Sequence, residues 1–536
     1  MIFRSPFPQI EVPRASLTEF VLARAARHGD KPALVDATTG RALTHAQFCA
    51  QTRRAAAGLA AAGLRRGDAC AVFSPNTPEY AVAFHAAALC GAATTTVNPL
   101  YTAAELAHQL QDVRARFLFT APPLLPVARA ALTETHVERV YVFDADMSAD
   151  AETGATSFAE LLRCDAPAPS VEIDPANDLV ALPFSSGTAG LTKGVMLTHA
   201  NMVASLCQLL AVGAIAHSDT LICVVPLAHL YGLQVIVNWS LAAGATVVML
   251  PRFDLAQFLQ TLQDYRVTRA PLVPPLVRAL ALHPSVADFD LSALKHVHSG
   301  GAPLAAADAE GCRARLGVEL SYAYGQTEVS PLSHMSAPGE THDEAGAVGY
   351  PLPLTECRIV DCETGAELGP GARGEVRLRG PQVMRGYLNQ PAATAEAFDE
   401  AGWLRTGDIG YADADGHLYI VDRLKELIKY RGLQVAPAEL EAVLLTHPAV
   451  ADAAVVPSPD PEAGEVPKAF VVLKGDAAGA DLMEELLAYV AARVAPHKKV
   501  RRLEFVAQLP RVASGKLLRR LLVERERGGA WSAEEN

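Results

Sequence analysis

Cysteine is sparse and unpaired: nine stand among 536 residues. They are scattered singly from Cys49 to Cys362, without a CxxC pair or a Cys/His spacing of the zinc-site kind. Distributed in this way they read as small buried apolar side chains in a reducing cytoplasm. Positive charge is also short. Lys and Arg total 46 against 59 Asp and Glu, a formal net charge of −13 with a pI near 5.7, which argues against a general nucleic-acid binder. A long hydrophobic run is missing as well. The longest, around residues 81–97, is interrupted by His85 and Gly91 and followed by Asn98-Pro99, so no membrane span is expected. The first residues lack a basic segment followed by an apolar run, and the last three, Glu534-Glu535-Asn536, are not a peroxisomal address. A cytoplasmic protein is the expectation.

What is present is globular: half the residues are apolar and a fifth charged, over a length that calls for two to four structural units. Alanine runs such as Ala55-Ala56-Ala57 suit close-packed helices. The densest basic cluster, His497, Lys498, Lys499, Arg501 and Arg502, is either a solvated surface or a local site for a phosphorylated ligand.

Helical and strand-like segments alternate in the first part. Thr44 is placed to cap a helix stopped by Gly63, and Thr102 another ending near Val113. Residues 69–73 and 117–119 read as strands. The alternation resumes with residues 181–184, a helix over 199–212, a buried strand at 246–250, and a helix capped by Asp254. This pattern favours an α/β unit with a largely parallel sheet. Between about Gly346 and Gly416 glycines separate short strands, which predicts a smaller β-rich unit. Past Arg423, strands near 453–456 and 470–473 and a helix over 481–494 predict a small α+β domain.

The segment Ser185-Ser186-Gly187-Thr188-Ala189-Gly190-Leu191-Thr192-Lys193-Gly194 follows a strand and precedes a helix. Glycines let backbone N–H groups approach phosphate oxygens, and hydroxyls and a Lys add donors. It is not a Walker A loop: Thr192 stands where the second Gly belongs, and Gly194 where a magnesium-binding Ser or Thr belongs. A P-loop kinase is therefore disfavoured.

This loop resembles the phosphate loop of the adenylate-forming superfamily, which comprises acyl-CoA synthetases, adenylation domains and luciferases. The other motifs follow in family order: Tyr324-Gly325-Gln326-Thr327-Glu328, Thr406-Gly407-Asp408, Asp422-Arg423-Leu424-Lys425-Glu426, and Ser514-Gly515-Lys516. The segment from Gln434 to Glu441 is similar to that of 4-coumarate–CoA and cinnamate–CoA ligases. The resemblance implies an α/β fold. Its large N-terminal domain (1–424) comprises two α/β subdomains and a small β-barrel-like one, and a mobile α+β lid (425–536) is hinged at Lys425. It implies ATP, Mg2+ and CoA as reactants and cofactor, with an acyl-carrier protein as the alternative thiol acceptor.

Residue roles are carried over position by position. The resemblance assigns nucleotide binding to Ser185, Ser186, Gly187, Thr188, Gly190, Lys193, Thr327, Asp408, Arg423, Lys425 and Gln434. Tyr324 would stack on adenine opposite Ala302-Pro303. Glu328 would ligate magnesium, a hard oxygen for a hard cation. Lys516 would bridge the substrate carboxylate and the α-phosphate, and His229 would orient that carboxylate. Lys429, Tyr430, Arg431 and Gly432 would face the site in the second step, where CoA enters.

The acid's pocket, on the same resemblance, is lined by Leu230, Tyr231, Gln234, His298, Gly300, Gly301, Ala323, Gly325, Pro331, Leu332 and Ser333. This mostly small or apolar lining suits a flat ring. No Asp stands where amino-acid-activating domains hold an α-ammonium. Departures from the family pattern are Ala323 and Gly301 (usually Gly and Ala), His298 (often Lys), Ala228 (often Phe), and Ala189 and Thr192 in the phosphate loop. A benzoate- or cinnamate-sized aryl acid is expected, and long fatty acids are not. A luciferase-type oxygenase shares these motifs. From another class, a nucleotide-binding regulator without catalysis would lack a reason to keep Lys516, Glu328 and Asp408 together.

Overall fold

In the computed structural model, residues 1–143, 155–185, 193–340, 346–431, 433–475, 480–511, 517–526 and 528 are described. Three sheets organise them. The first has nine strands, its main path running Phe184–Ser185, Lys193–Thr198, Leu179–Ala181, Ala93–Val97, Ala69–Phe73, Phe117–Thr120, Arg139–Val142, Ala155–Ser157. The last five of these pair in parallel. The ninth strand, Gly386–Tyr387, pairs with Lys193–Thr198.

The second sheet is a 14-stranded path. Its parallel part comprises Pro32–Asp36, Thr246–Met249, Thr220–Cys223, Arg269–Leu272, His296–Ser299 and Glu319–Gly325. From Leu332–Met335 onward the path continues antiparallel through Ala347–Pro351, Leu418–Arg423, Leu404–Ala412, Gly374–Arg379 and Glu356–Val360 to Ile2–Arg4. The glycine-punctuated β-rich unit therefore exists as an extension of this sheet, and the path does not close into a barrel.

The helices form where capping and apolar spacing place them. Thr44 caps His45–Ala61 in a reciprocal pair with Gln47, and Thr102 caps Ala103–Val113 with Glu105. Asp254 caps Leu255–Asp264 through the Gln257 N–H. Ala55, Ala56 and Ala57 are buried, as their run implied. The main core gathers helices of both halves, with Tyr80, Phe84, Leu206, Val235 and Trp239 among its members. Five of the nine cysteines are buried and all are free thiols.

The second sheet ends at Arg423, and the third begins at Ile428. This five-stranded sheet carries Ile428–Tyr430, Leu433–Val435, Val450–Asp460, Gly464–Leu473 and Arg502–Phe505, with its own cores. It is joined to the second sheet by a small cluster of Ile409, Leu427 and Ala436. A buried polar junction reinforces the join. The Asp422 carboxylate accepts the Ala438 N–H (2.9 Å) at the start of helix Pro437–Leu445, and Arg519 donates to Glu426 (2.7 Å) and to Glu441. Burial pushes the Asp422 carboxyl up to about 6 although Arg519 opposes it.

Candidate active site

The parallel strands of the second sheet deliver their C-terminal ends to one edge, where ligands bind in open α/β sheets. Tyr324 and Gly325 close the strand Glu319–Gly325, and the turn Thr327–Val329 follows. Gly325 is dictated by crowding: a Cβ there would lie 1.9 Å from the Pro331 carbonyl oxygen.

Three side chains meet across this edge. The Tyr324 hydroxyl donates to Asp408 Oδ2 at 2.6 Å, and Arg423 Nε lies 3.3 Å from Oδ1. Asp408 and Arg423 are cross-strand neighbours, which fixes their pairing. Thr406 accepts the Asp408 N–H at 3.1 Å. Burial and the adjacent Asp408 carboxylate push the Tyr324 phenol well above its usual range, so it stays a donor.

Glu328 is buried, and its Oε1 accepts the Tyr387 hydroxyl at 3.0 Å. The Tyr387 ring in turn lies under the Lys193 ammonium, 4.8 Å from Nζ. Tyr387 was missed in the sequence. It sits on the two-residue strand Gly386–Tyr387, whose partner strand begins with Lys193. The only sequence signal was an aromatic directly after a glycine. Burial, then Glu328, raises its phenol pKa.

His229 is exposed on a loop held by Asn76. The Asn76 amide nitrogen lies 3.3, 3.1 and 3.1 Å from the carbonyls of Cys223, Val225 and Leu250, and its oxygen accepts the Leu227 N–H at 2.8 Å. Leu230 is buried beside it. Tyr231 hangs from the Leu272 and His298 carbonyls by its hydroxyl (3.3 and 3.2 Å), and a Cβ on Gly300 would lie 3.5 Å from its ring. Gly301 takes a left-handed conformation, φ 85°. Ala302 and Pro303 are exposed, Thr327 is half-buried, and Ala323 and Leu332 are buried.

Two expected pocket residues are engaged elsewhere. Gln234 is fully buried in a hydrogen-bonded chain that runs Met202 carbonyl–Gln234–Asn238–His85–Thr18, with links of 2.8 to 3.0 Å. Ser333 is also fully buried, held by His334 Nδ1 (2.9 Å) and the Tyr324 carbonyl (3.3 Å). Pro331 follows a cis peptide bond.

Two further lysines lie at the surface. Lys425 and Lys429 are exposed; the Lys429 N–H donates to Glu465 at 2.9 Å. The Tyr430 ring is flanked by Arg501 at 3.8 Å and Arg431 at 5.6 Å. Lys498, a member of the basic cluster of residues 497–502, is held by both oxygens of Glu439 at 2.8 and 2.7 Å. Ser185 pairs with Lys193 across a two-residue ladder. Ser186, Gly187, Thr188, Gly190, Gly432 and Lys516 fall outside the described residues, as does the side chain of Gln434.

Facing acidic and basic side chains at the open end of a parallel sheet, with an aromatic beside them, make a site for a phosphorylated nucleotide-like ligand. The AMP-binding enzyme family matches residues 21–388, and the AMP-binding enzyme C-terminal domain matches 439–516. The chain belongs to the AMP-binding enzyme family. It is 41% identical over 530 residues to 4-coumarate–CoA ligase 2 of Petroselinum crispum, covering 97% of this chain and 96% of the relative. Among solved structures, the anthranilate–CoA ligase AuaEII in complex with anthranoyl-AMP matches with a TM-score of 0.87 at 26% identity, over 97% and 98% of the two chains. ATP-bound MatB from Rhodopseudomonas palustris matches at 0.86 and 29% identity, over 96% and 99%.

Proposed function

We propose that the protein activates an aryl carboxylic acid with ATP, releases pyrophosphate, and transfers the acyl group from AMP to the thiol of CoA. The observation that carries this reading is the bonded set Tyr324–Asp408–Arg423 beside Glu328–Tyr387–Lys193 at the open sheet edge. Near-full-length likeness to 4-coumarate–CoA ligases supports it. In the first half-reaction a carboxylate oxygen attacks the α-phosphorus and the bond to the β-phosphate breaks. In the second, the thiol sulfur attacks the acyl carbonyl and AMP leaves. Two anions must meet in the first step, so preorganised donors and cations govern its rate.

In this reading Asp408 accepts the ribose hydroxyls, Arg423 and Tyr324 holding its carboxylate in place. Lys193 faces the phosphates with Thr188 and its loop, and His229 steadies the acid's carboxylate. Lys516 neutralises the carboxylate and α-phosphate as they join. A switch at Lys425 then turns the face bearing Lys429 and Arg431 to the site.

The fit to magnesium is direct. No group of three or more His, Cys, Asp or Glu side chains suited to a metal exists among the described residues, whereas Glu328 is a buried carboxylate bonded to Tyr387, whose ring lies under Lys193. Magnesium is commonly held by one or two carboxylates together with substrate phosphates. Glu328 would therefore be its protein ligand, and the ion would supply charge neutralisation on the phosphates. No helix of the described residues is long and apolar enough to cross a membrane.

Incubation with ATP, magnesium and a panel of aryl and aliphatic acids tests the reading. Pyrophosphate and AMP are expected with benzoate- or cinnamate-sized acids, followed by a thioester when CoA is added. ADP as the product, or a preference for long fatty acids, overturns it. Transfer to carrier-bound phosphopantetheine and not to CoA would reassign the acceptor alone.

A further inference from the structure

Behind the residues expected to hold the acid lies a cavity of about 100 Å³. Strand register explains its position. Arg269, His296 and Glu319 align across three parallel strands, as do Pro271, His298 and Ser321, so both rows face one side of the sheet. Gly300, Ala323 and Gly325 continue the same alternation toward the open edge. The helical segment Tyr231–Asn238 and its continuation cover this face, with Tyr231, Val235 and Trp239 recurring every fourth residue. Tyr231 packs at the edge end. Val235 and Trp239 line the cavity with His298, Ser321, Met335 and Ile215.

We infer that this cavity is a second compartment of the acid pocket, built to take a short neutral alkoxy chain on the far end of an aryl acid. The inference rests on the function proposed above. His298 is the junction. Its Nδ1 lies 2.7 Å from the Ser321 hydroxyl, while Nε2 is buried with no partner among the described residues. Burial, then Arg269, pushes the ring down to about 4, so it is neutral at ordinary pH. In the tautomer whose Nδ1 accepts from the Ser321 hydroxyl, the neutral imidazole offers Nε2–H to an ether oxygen.

Beyond His298 the chain would meet Val235, Trp239, Met335 and Ile215. At the far end Arg269 is paired with Asp219 at 2.7 Å, and Glu319 lies 3.0 Å from the His296 ring, whose pKa burial and then Arg269 lower. The Glu340 carboxylate accepts the Tyr350 hydroxyl at 3.1 Å. An ionic tail therefore has nothing to gain there. By proportion with a 150 Å³ cavity that accommodates benzene, the space holds about four heavy atoms.

The test measures kcat/KM for cinnamate and its 4-methoxy, 4-propoxy, 4-hexyloxy and 4-(3-carboxypropoxy) derivatives, in wild type and Ile215→Trp. Wild type should gain up to roughly fourfold per buried methylene through propoxy, then lose activity at hexyloxy and with the carboxylate tail. Ile215→Trp should lower the propoxy-to-cinnamate ratio about tenfold or more. Should that variant not fold, Ser321→Leu fills the same space from the sheet side and should lower the ratio likewise. Rejection of every tailed acid by a wild type that accepts cinnamate overturns the inference and leaves the proposed function standing. Equal propoxy-to-cinnamate ratios in wild type and in a folded filled variant overturn it too. If no acid releases pyrophosphate, the function itself fails, and the inference with it.

Discussion

The sheet edge around Glu328 and Asp408 and the lysine-bearing face of the third sheet hold their charges in opposite ways. At the edge, each charged group is clasped by a neighbour from another strand: Asp408 by Tyr324 and Arg423, Glu328 by Tyr387. Lys425, between the second and third sheets, and Lys429, on the third, project from the surface, and the Lys429 N–H donates to Glu465. Preorganised groups stabilise charge without rearranging at the moment of reaction. Exposed groups on a separately cored sheet are suited to being delivered. The contrast divides the proposed reaction into a fixed half and a carried half.

The largest effects should separate the carried lysines from each other. Lys516→Ala is expected to lower acyl-adenylate formation about 10²–10³-fold, while thioester formation from supplied acyl-AMP persists. Lys429→Ala should spare the first step and harm the second. Single-turnover assays of each half-reaction check this, and equal loss of both steps in both variants would remove the distinction.

On the fixed side, Tyr387→Phe keeps the ring under Lys193 and deletes the hydroxyl on Glu328. A hydrogen bond to a charged group is worth about 1.5–3 kcal/mol, so kcat/KM for MgATP should drop about tenfold or more. A raised magnesium requirement is the specific signature. An unchanged magnesium titration would detach Tyr387 from the metal site.

Stability should respond to pH through the fixed core. Burial holds the fully buried His45, His85 and His199 down to about 4, and His334 to about 3. Their unfolded values lie near 6.5. Below that value the unfolded chain takes up protons that the native one refuses, so stability falls as pH drops from about 6.5 toward 4. The cost is about 1 kcal/mol for each at pH 5.5. Asp422 works in the opposite sense: its carboxyl, raised to about 6, binds protons more readily folded than unfolded and offsets part of the loss. Chemical denaturation between pH 7.5 and 5.5 reads the net slope, and a flat or rising profile toward acid contradicts it.

The smallest effect concerns the basic cluster. Lys498 is committed to Glu439, a pair worth about 0–1 kcal/mol near a surface. Lys498→Ala should alter the KM for CoA less than twofold, whereas Arg431→Ala should raise it several-fold. The reverse order would assign the CoA phosphate to Lys498.

Much of this arrangement is legible in the residues themselves. The helices His45–Ala61, Ala103–Val113 and Leu255–Asp264 follow from local capping chemistry, and local chemistry is what a sequence displays. The change of sheet past Arg423 follows from a shift in pattern. The motifs around Glu328 and Asp408 stood out because several residues of each are contiguous. Tyr387 and Asn76 did not, since each acts on groups distant in the chain: Tyr387 on Glu328, and Asn76 on Cys223, Val225, Leu227 and Leu250. Gln234 and Ser333 illustrate the converse. The family resemblance assigns both to the pocket, whereas hydrogen bonds inside the protein engage both side chains.

Asn76 belongs to the chain between the first sheet's strand Ala69–Phe73 and the helix Pro78–Leu89, yet its amide grips loops of the second sheet. One small side chain thus rivets the two halves of the large unit at the root of the loop that presents His229. Aspartate, nearly the same shape, would put an acceptor where three carbonyls already converge and so repel the loop it should hold. Substitution at this position should therefore loosen the loop that presents His229, although Asn76 is not among the residues assigned to nucleotide, acid or thiol.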